Sequence, residues 1–490
     1  MTTEQRPPSG GLCFDDSINP MALKKLCRFL ACTASITLPL YTLPGEVQAQ
    51  QMLAGASLPR VAPEQSKPKT PDVWHQSTLL GDWWGLRPLL DDYGIQFSLH
   101  QTSDYVGNTR GGIRQGFVYN GLLNLEVDHD LNKALGWRGA KLHLSAYGIQ
   151  GQNLSSQYVG NIMTVTNVEA NPSIGKIGEF WLEQKLLDDR LQLRAGLLEG
   201  DRYYVISPTA NVFVNSTFGF PDSWEVNMPG EGPGYPNASP GVMATYQFDT
   251  DWAITGSIMN GQPVGPTATQ TNYGTDFPTG NGVLSWLELA YTPQWTFGDK
   301  TLPGNYKVGG WFNSNTVDNV TLSETGRSFT NPVNKTYRSQ YAVYALADQT
   351  LYREDNSTTQ GLSAFARVAF NPQQSRNVIT SYVDLGLAYT GLFGGRPNDI
   401  LGLAFAWAKF TPYLNNQIAS QNALSGTCTP MPRPEQLLEL TYQAPISPWL
   451  SLQPFAQLSI NPGGKAPMPN NPNQAIPNAT IIGLRANIAF

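Results

Sequence analysis

The chain has 490 residues, a formal net charge of −6 and no dense Lys/Arg stripe, which excludes nucleic acid as a natural partner. Charged residues make up 14 %, against about 25 % in soluble domains, while aromatic residues at 11 %, Gly 47 and Pro 37 favour strands joined by many turns. The mean hydropathy of −0.27 argues against a helical membrane bundle, and beyond residue 50 no apolar run reaches the roughly 20 residues of a spanning helix, so a membrane role requires strands.

Residues 1–20 carry no recognisable signal, and Met21 is the expected start. From there, "MALKKLCRFLACTASITLPLYTLPGEVQAQ" has a basic stretch, an apolar run and a V-x-A pattern at Val47 and Ala49, the order of a secretory signal spanning 21–49. Its removal takes Cys13, Cys27 and Cys32 with it, leaves Cys428 alone and rules out an intramolecular disulfide. Residues 50–78 lack periodicity and read as a flexible lead-in, so the folded unit is expected over 79–490. In "GDWWGLRPLLDDYGIQF", Asp82 is the expected cap of a short helix over 82–93, and Gly94 its stop.

From residue 94 the period changes to two. Sixteen alternating segments of about ten residues follow, the length of a tilted bilayer-crossing strand. They are 94–106, 117–129, 139–149, 178–187, 190–199, 240–248, 252–260 and 283–293, then 304–313, 339–348, 362–371, 380–391, 399–410, 434–445, 449–460 and 479–490. Short connections such as 188–189, 249–251 and 445–448 alternate with long ones at 150–177, 200–239, 261–282, 314–338, 411–433 and 461–478. The stretch 349–379 is the least regular.

Within the segments, apolar and polar residues take opposite parity. Leu123, Leu125 and Val127 share one face, and Asn124, Glu126 and Asp128 the other; Phe180, Leu182 and Leu186 oppose Glu179, Trp181, Glu183 and Lys185; Ile482, Leu484, Ala486, Ile488 and Phe490 oppose Gly483, Arg485 and Asn487. Charges at strand centres are too frequent for a dry core, which predicts apolar side chains facing lipid and water inside a closed all-β structure. The predicted fold is a 16-stranded antiparallel transmembrane β-barrel with long extracellular loops, a short N-terminal periplasmic helix and both termini periplasmic.

Fragments in a fixed order, "LLGDWWGLRPLLDDYGI", "GLLEGDRYYVISPTANVFVNSTFG", "QYAVYALADQTLYRE", "VDLGLAYTGLFGGRPNDILGLAFAW", "ELTYQAPISPWLSLQPFAQLSINPGG" and "IIGLRANIAF", resemble the carbohydrate-selective porins of Gram-negative outer membranes, the OprB family. The resemblance covers nearly all of 79–490. It implies passive, facilitated diffusion of mono- or oligosaccharides across the outer membrane, lipid as surroundings, and a homotrimer. One departure is Phe455 in "QPFAQ", where family members often carry an acidic residue.

A sugar pore needs directional hydrogen-bonding groups and flat aromatic faces, neither binding so tightly that release fails. Inward parity selects Glu126, Trp181, Glu183, Arg194, Trp286, Trp311, Arg367, Asp384, Glu439 and Arg485. Arg194, Arg367 and Arg485 are the expected donors to sugar oxygens, Glu183, Asp384 and Glu439 the acceptors, and Trp181 and Trp286 the stacking surfaces. The competing reading is that such charges brace opposite walls. The 200–239 loop, folded inward, would add Asp201, Arg202, Trp224 or Glu225 to a constriction. No enzyme motif, cofactor site or metal site is expected; His143 and Ser145 share an inward face but lie away from any lipid substrate. The alternatives are a general porin for small polar solutes and a secreted β-rich binding or adhesion protein.

Overall fold

The computed structural model describes residues 72–263, 274, 282–320, 335–355, 357–426 and 428–490; the expected signal segment and most of the lead-in lie outside them. The alternating segments form one antiparallel sheet that closes on itself. Its barrel strands are β1 (Ile95–Arg110), β2 (Gly116–Asp130), β3 (Ala140–Gly151), β4 (Ser173–Leu186), β5 (Leu191–Leu198), β6 (Ser239–Gln247), β7 (Trp252–Asn260) and β8 (Val283–Tyr291). A short β9 (Gln294–Phe297) folds back on the start of β10 (Lys300–Asp318). There follow β11 (Thr336–Arg353), β12 (Gly361–Phe370), β13 (Ile379–Thr390), β14 (Ile400–Phe410), β15 (Glu435–Ser447), β16 (Leu450–Ile460), a small hairpin of β17 (Pro467–Met468) and β18 (Asn471–Ala475), and β19 (Ala479–Ala489). Leaving out β9 and the small hairpin, sixteen strands make the wall.

Each wall strand pairs with its neighbours in sequence, and β19 pairs with both β16 and β1. The register sets Asp104 opposite Arg485 and His100 opposite Ala489. Closure leaves no open strand edge, which hydrocarbon would not tolerate. Four strands outrun their expected spans by four residues or more: β1 runs to Arg110, β4 starts at Ser173, β10 has 19 residues and β11 has 18. The longer β11 takes in residues 349–353 of the irregular stretch, so the connection to β12 begins at residue 354. Among the described residues no helix is long and apolar enough to cross a membrane.

The two parities face opposite surroundings. Phe180, Val242, Ile258, Leu287, Val308, Leu385, Leu440 and Leu484 point outward and are exposed. The alternate positions, Asn124, Glu183, Arg367, Asp384, Glu439 and Arg485, are buried inside. Near the end of the barrel that carries the chain termini, outward aromatic rings meet in series: Trp252 stacks on Tyr291 at 4.5 Å, Tyr291 on Tyr306 at 6.3 Å, and Tyr246 meets Phe248 at 5.1 Å. Such a belt suits a membrane–water boundary, where one ring edge is wet.

The termini clasp one another at that end. Arg87, on the helix Leu86–Asp92, donates to the main-chain oxygens of Phe97 at 2.9 Å and Phe490 at 2.7 Å, and Leu79 N donates to Ala489 O at 2.8 Å. Residues 72–78 are docked there too: Trp74 stacks on Trp449 at 5.8 Å, and the Trp449 indole donates to Val73 O at 2.8 Å. The expected cap is corrected. Gly85, in a left-handed conformation, precedes the helix and Asp82 makes no side-chain cap, because positive φ at Trp83 and Trp84 turns the chain away. Gly94 ends the helix as expected, with φ of 79° and its N–H on Asp91 O; a Cβ there would lie 2.6 Å from Asp130 O.

Loops occupy part of the interior. Two long connections at the end opposite the termini, residues 152–172 and 199–238, fold into the barrel. Apolar groups from them (Ile162, Met163, Phe213, Phe218, Trp224) join inward groups of the wall (Trp286, Trp311, Tyr344, Phe365) in one buried cluster. Parity distinguishes the two faces of a wall; it says nothing about what a loop brings inside.

Candidate functional site

The inward loops are held by wall carboxylates that accept loop N–H groups. Glu439 on β15 accepts from Val214 N at 2.7 Å and Asn215 N at 2.9 Å, and from Gln457 Nε2 at 3.0 Å. Glu435 receives the N–H groups of Ile162 and Met163. Asp348 on β11 takes the Ser207 hydroxyl at 2.5 Å and Thr209 N at 2.8 Å, and Glu288 on β8 takes Val205 N at 2.7 Å and the Tyr344 hydroxyl at 2.7 Å. The reason is physical: a loop inside a barrel has no ladder for its backbone donors, and each buried donor needs an acceptor.

Arginines do the converse for loop carbonyls. Arg367, fully buried, is bonded to Asp384 and donates to the carbonyls of Thr217 (2.8 Å), Phe218 (3.1 Å), Gly219 (3.2 Å) and Val205 (3.3 Å). Arg485 pairs with Asp104 at 2.8 and 2.7 Å and reaches Thr166 Oγ1 at 2.9 Å and Asn167 Oδ1 at 2.7 Å on the first loop. Glu169 accepts the Ser155 N–H at 2.9 Å and hydroxyl at 3.1 Å within that loop, and burial pushes its carboxyl up to about 8. Burial likewise lifts the Asp222 carboxyl well above its usual range.

A different cluster lies on the wall formed by β2 to β5. Arg202, just past β5, donates to Glu126 Oε1 at 2.9 Å, Glu199 Oε2 at 2.9 Å and the Tyr147 hydroxyl at 3.0 Å, with Glu179 at 3.7 Å. Arg194 donates to Glu183 at 2.7 Å, and its guanidinium lies 4.7 Å from the centre of the Trp181 ring and 5.0 Å from that of Tyr203. Trp181 also stacks on His143 at 4.7 Å, and His143 Nδ1 is 2.7 Å from Asp128, which pairs with Lys141 at 2.9 Å. Burial, reinforced by the Glu199 charge, raises the Asp201 carboxyl well above its ordinary value, while its oxygen accepts Tyr235 N at 3.0 Å.

Solvent contact separates this cluster from the anchors. The side chains of Lys141, Asp128 and Arg194 are 40 %, 37 % and 20 % exposed, and those of Glu126 and Arg202 are 15 % and 13 % exposed. Arg367 and Asp384 are at 0 %. Of the residues chosen by parity, the structure therefore brings Glu126, Trp181, Glu183 and Arg194 together with Arg202. It places Arg367, Asp384, Glu439 and Arg485 apart from them, under the loops. Trp286 and Trp311 lie in the apolar cluster, Trp286 stacked on Tyr204 at 5.0 Å and packed on Trp224 at 5.6 Å, so neither offers an open ring face. Asp201, Trp224 and Glu225 are buried within the second loop.

A closed barrel of sixteen strands with polar groups inside, greasy groups outside and loops folded into its lumen is the frame of a diffusion channel, and the sequence model described as "Carbohydrate-selective porin, OprB family" matches residues 114–490. The chain belongs to that family.

Among curated relatives of this OprB-family chain, Porin B of Pseudomonas aeruginosa is 25 % identical over 436 residues, covering 84 % of this chain and 91 % of that protein. A protein named putative porin QuiX, from Acinetobacter baylyi, is 23 % identical over 451 residues, covering 86 % and 95 %. The high-pH structure of Pseudomonas putida OprB superimposes with a TM-score of 0.75 at 23 % identity, over 85 % of this chain and 99 % of that one. The protein is a porin that carries carbohydrates passively through its barrel, and family and fold point to a channel rather than an enzyme.

Phe455, the departure from the family pattern, has a structural role. It faces inward, buried with Val106, Val118 and Ile481 of the wall and with Leu154, Val165 and Val214 of both loops, and it covers Gly483, where a Cβ would lie 2.4 Å from its ring. Here Phe455 supplies an apolar seat for the loops. Sequence reasoning passed over Asp104, Glu288 and Asp348 as functional residues, although each is an inward charge on a predicted strand and parity alone would have found them. His143 was noted only in connection with Ser145. Tyr147 and Glu199 became visible only once Arg202 was placed among them.

Proposed function

We propose that sugars pass the β2–β5 wall and make their hydrogen bonds with Arg194, Asp128, Lys141, Glu126 and Arg202, with Glu183 holding Arg194 in place, while the 199–238 loop narrows the lumen beside them. The observation that carries this reading is the solvent contact kept by these paired charges, in contrast to the complete burial of Arg367 with Asp384. Alternating donors and acceptors with no dominant sign suit neutral hydroxyl-rich solutes. Charge-assisted bonds to water-exposed groups are individually strong in direction but weak in net affinity, as throughput requires.

In this reading the aromatic roles change. Trp181 orients Arg194 and His143 in place of stacking on sugar, and Trp286 and Trp311 seat the loop. Arg367, Asp384, Glu439 and Arg485 keep the constriction in shape without touching solute. The end bearing both termini faces the periplasm, since the short connections gather there, and the long loops face outward. A trimer rests on the family resemblance alone, and native mass spectrometry would count its copies.

The test is ion current through single channels in planar bilayers with added glucose, maltose or sucrose. Sugar-dependent block that weakens several-fold in Arg194→Gln supports the assignment. Block unchanged in Arg194→Gln moves the contact elsewhere, and absence of block in the parent protein makes the channel a general one.

A further inference from the structure

On the outer face of β7, β8, β10 and β11 the apolar surface is hollowed. Gly310 faces outward between Val308 and Phe312, and its register partners on either side are Leu287 and Val343, both exposed. A missing side chain between two tall ones makes a groove. It has a volume of about 710 Å³ and is lined by Ile254, Leu287, Leu289, Val308, Phe312 and Tyr341 among others.

Beyond the upper end of this groove, away from the termini, lies a cluster of cations. Arg376, on the β12–β13 connection, is fixed by two bonds of 2.6 Å from Nη1 to the carbonyls of Arg338 and Ser339 on β11. Its guanidinium lies 4.8 Å from the centre of the Tyr337 ring, and Lys335 Nζ lies 5.1 Å from the same ring. Arg338 itself is exposed and is the register partner of the exposed Thr316. Among the described residues no carboxylate lies within 4 Å of these three cations. The Arg376 Nε is buried and without a hydrogen-bond partner. Like charges gathered on one ring repel one another, and an anion bound between them relieves that repulsion.

From Tyr341 in the groove to Arg338 is three residues, or about 10 Å at the strand rise of about 3.4 Å per residue. That offset sets the cations at headgroup height above an apolar slot, an arrangement complementary to an amphiphile with an anionic head. We propose that this corner of the barrel is a binding site for a phosphorylated lipid of the outer leaflet, its phosphate held by Lys335, Arg338 and Arg376 and an acyl chain lying in the groove floored by Gly310. A free phosphate would engage the cations but leave the groove unused, and the groove lies directly below them on shared strands. The inference rests on the orientation proposed above, with the long loops outward.

Native mass spectrometry of the detergent-purified protein tests it, using diphosphorylated lipid A, the same lipid with its phosphates removed, and inorganic phosphate as competitor. The expected result is at least ten-fold tighter retention of the phosphorylated lipid, lost in the double variant K335Q/R338Q and insensitive to millimolar phosphate. Both residues are exposed and neither substitution removes the Arg376 anchors, and a heat-modifiable gel shift checks that the variant folds. Equal retention of the two lipids, retention unchanged in the variant, or displacement by inorganic phosphate would each overturn the lipid site. Sugar-dependent current block, read separately on the same preparations, is expected to be the same in parent and variant, so failure here is distinguishable from failure of the transport reading.

Discussion

Replacing Glu439 by Ala tests whether the inner loop is held by the wall. The carboxylate accepts three bonds, from Val214 N, Asn215 N and Gln457 Nε2, at 2.7, 2.9 and 3.0 Å, and all of these groups are buried. Removing it leaves two backbone donors without an acceptor, at about 1–3 kcal/mol each, so about 2–6 kcal/mol favours release of residues 212–215 from β15 and β16. The barrel ladder is not part of that sum, because β15 keeps its register with β14 and β16. The expected outcome is local opening inside an intact wall. Single-channel conductance rises, open-channel noise increases, and amide exchange at 212–215 accelerates by at least ten-fold while the strands keep their protection. Glu439→Gln, which retains one acceptor oxygen, falls between parent and Ala variant. Conductance and exchange both unchanged in Glu439→Ala would refute the reasoning, since the loop would then be held by its apolar contacts alone.

Arg202→Gln removes the cation shared by Glu126, Glu199 and Glu179; uncompensated buried charge predicts a loss of about 3–5 kcal/mol, read as a lower unfolding temperature, together with a reversal potential shifted toward cation selectivity. For Glu169, burial raises the folded carboxyl to about 8, above the ordinary value of about 4.3. A carboxyl raised on folding favours the folded state most at low pH and loses that contribution as pH rises between the two values, so the amide protection factors of residues 152–172, taken relative to the intrinsic exchange rate at each pH, should fall from pH 5 to pH 8, and Glu169→Gln should abolish that fall. Arg87→Ala breaks the clasp to Phe97 and Phe490; with about 1.5–3 kcal/mol for a hydrogen bond to a charged group, the temperature of the heat-modifiable gel shift should fall while sugar block persists.

The wall was legible in the sequence because a strand facing two solvents must alternate, and a slip of one residue would turn every side chain to the wrong one. Leu440 and Glu439, or Phe180 and Trp181, could not exchange places, and so the spans came out within a few residues. The outer ends of β1, β4, β10 and β11 lie beyond the expected spans because past the membrane the outer solvent is water as well, and alternation loses its cause. The interior was legible in part. Inward charge was visible, but whether Arg367 meets a sugar or a loop carbonyl depends on where residues 205–219 run, and loops carry no period to follow.

That ambiguity has a physical resolution which applies inside any such barrel. An inward charge at a strand centre must be compensated, either by a fixed protein group or by water and whatever the water can exchange for. Arg367 has Asp384 and four loop carbonyls, and nothing remains for solute. Arg194 has Glu183 and two aromatic faces and keeps a fifth of its side chain in solvent. Both look the same in sequence, an inward arginine opposite an acid on the neighbouring strand: Arg194 pairs in register with Glu183 and Arg367 with Asp384. What separates them is how the same loop covers each: it meets Arg367 with four main-chain carbonyls and Arg194 with the Tyr203 ring. On the sugar path proposed above, substitutions that redirect residues 199–238 should change which sugars block the channel even where no lining residue is altered, a shift read by comparing block across glucose, maltose and sucrose.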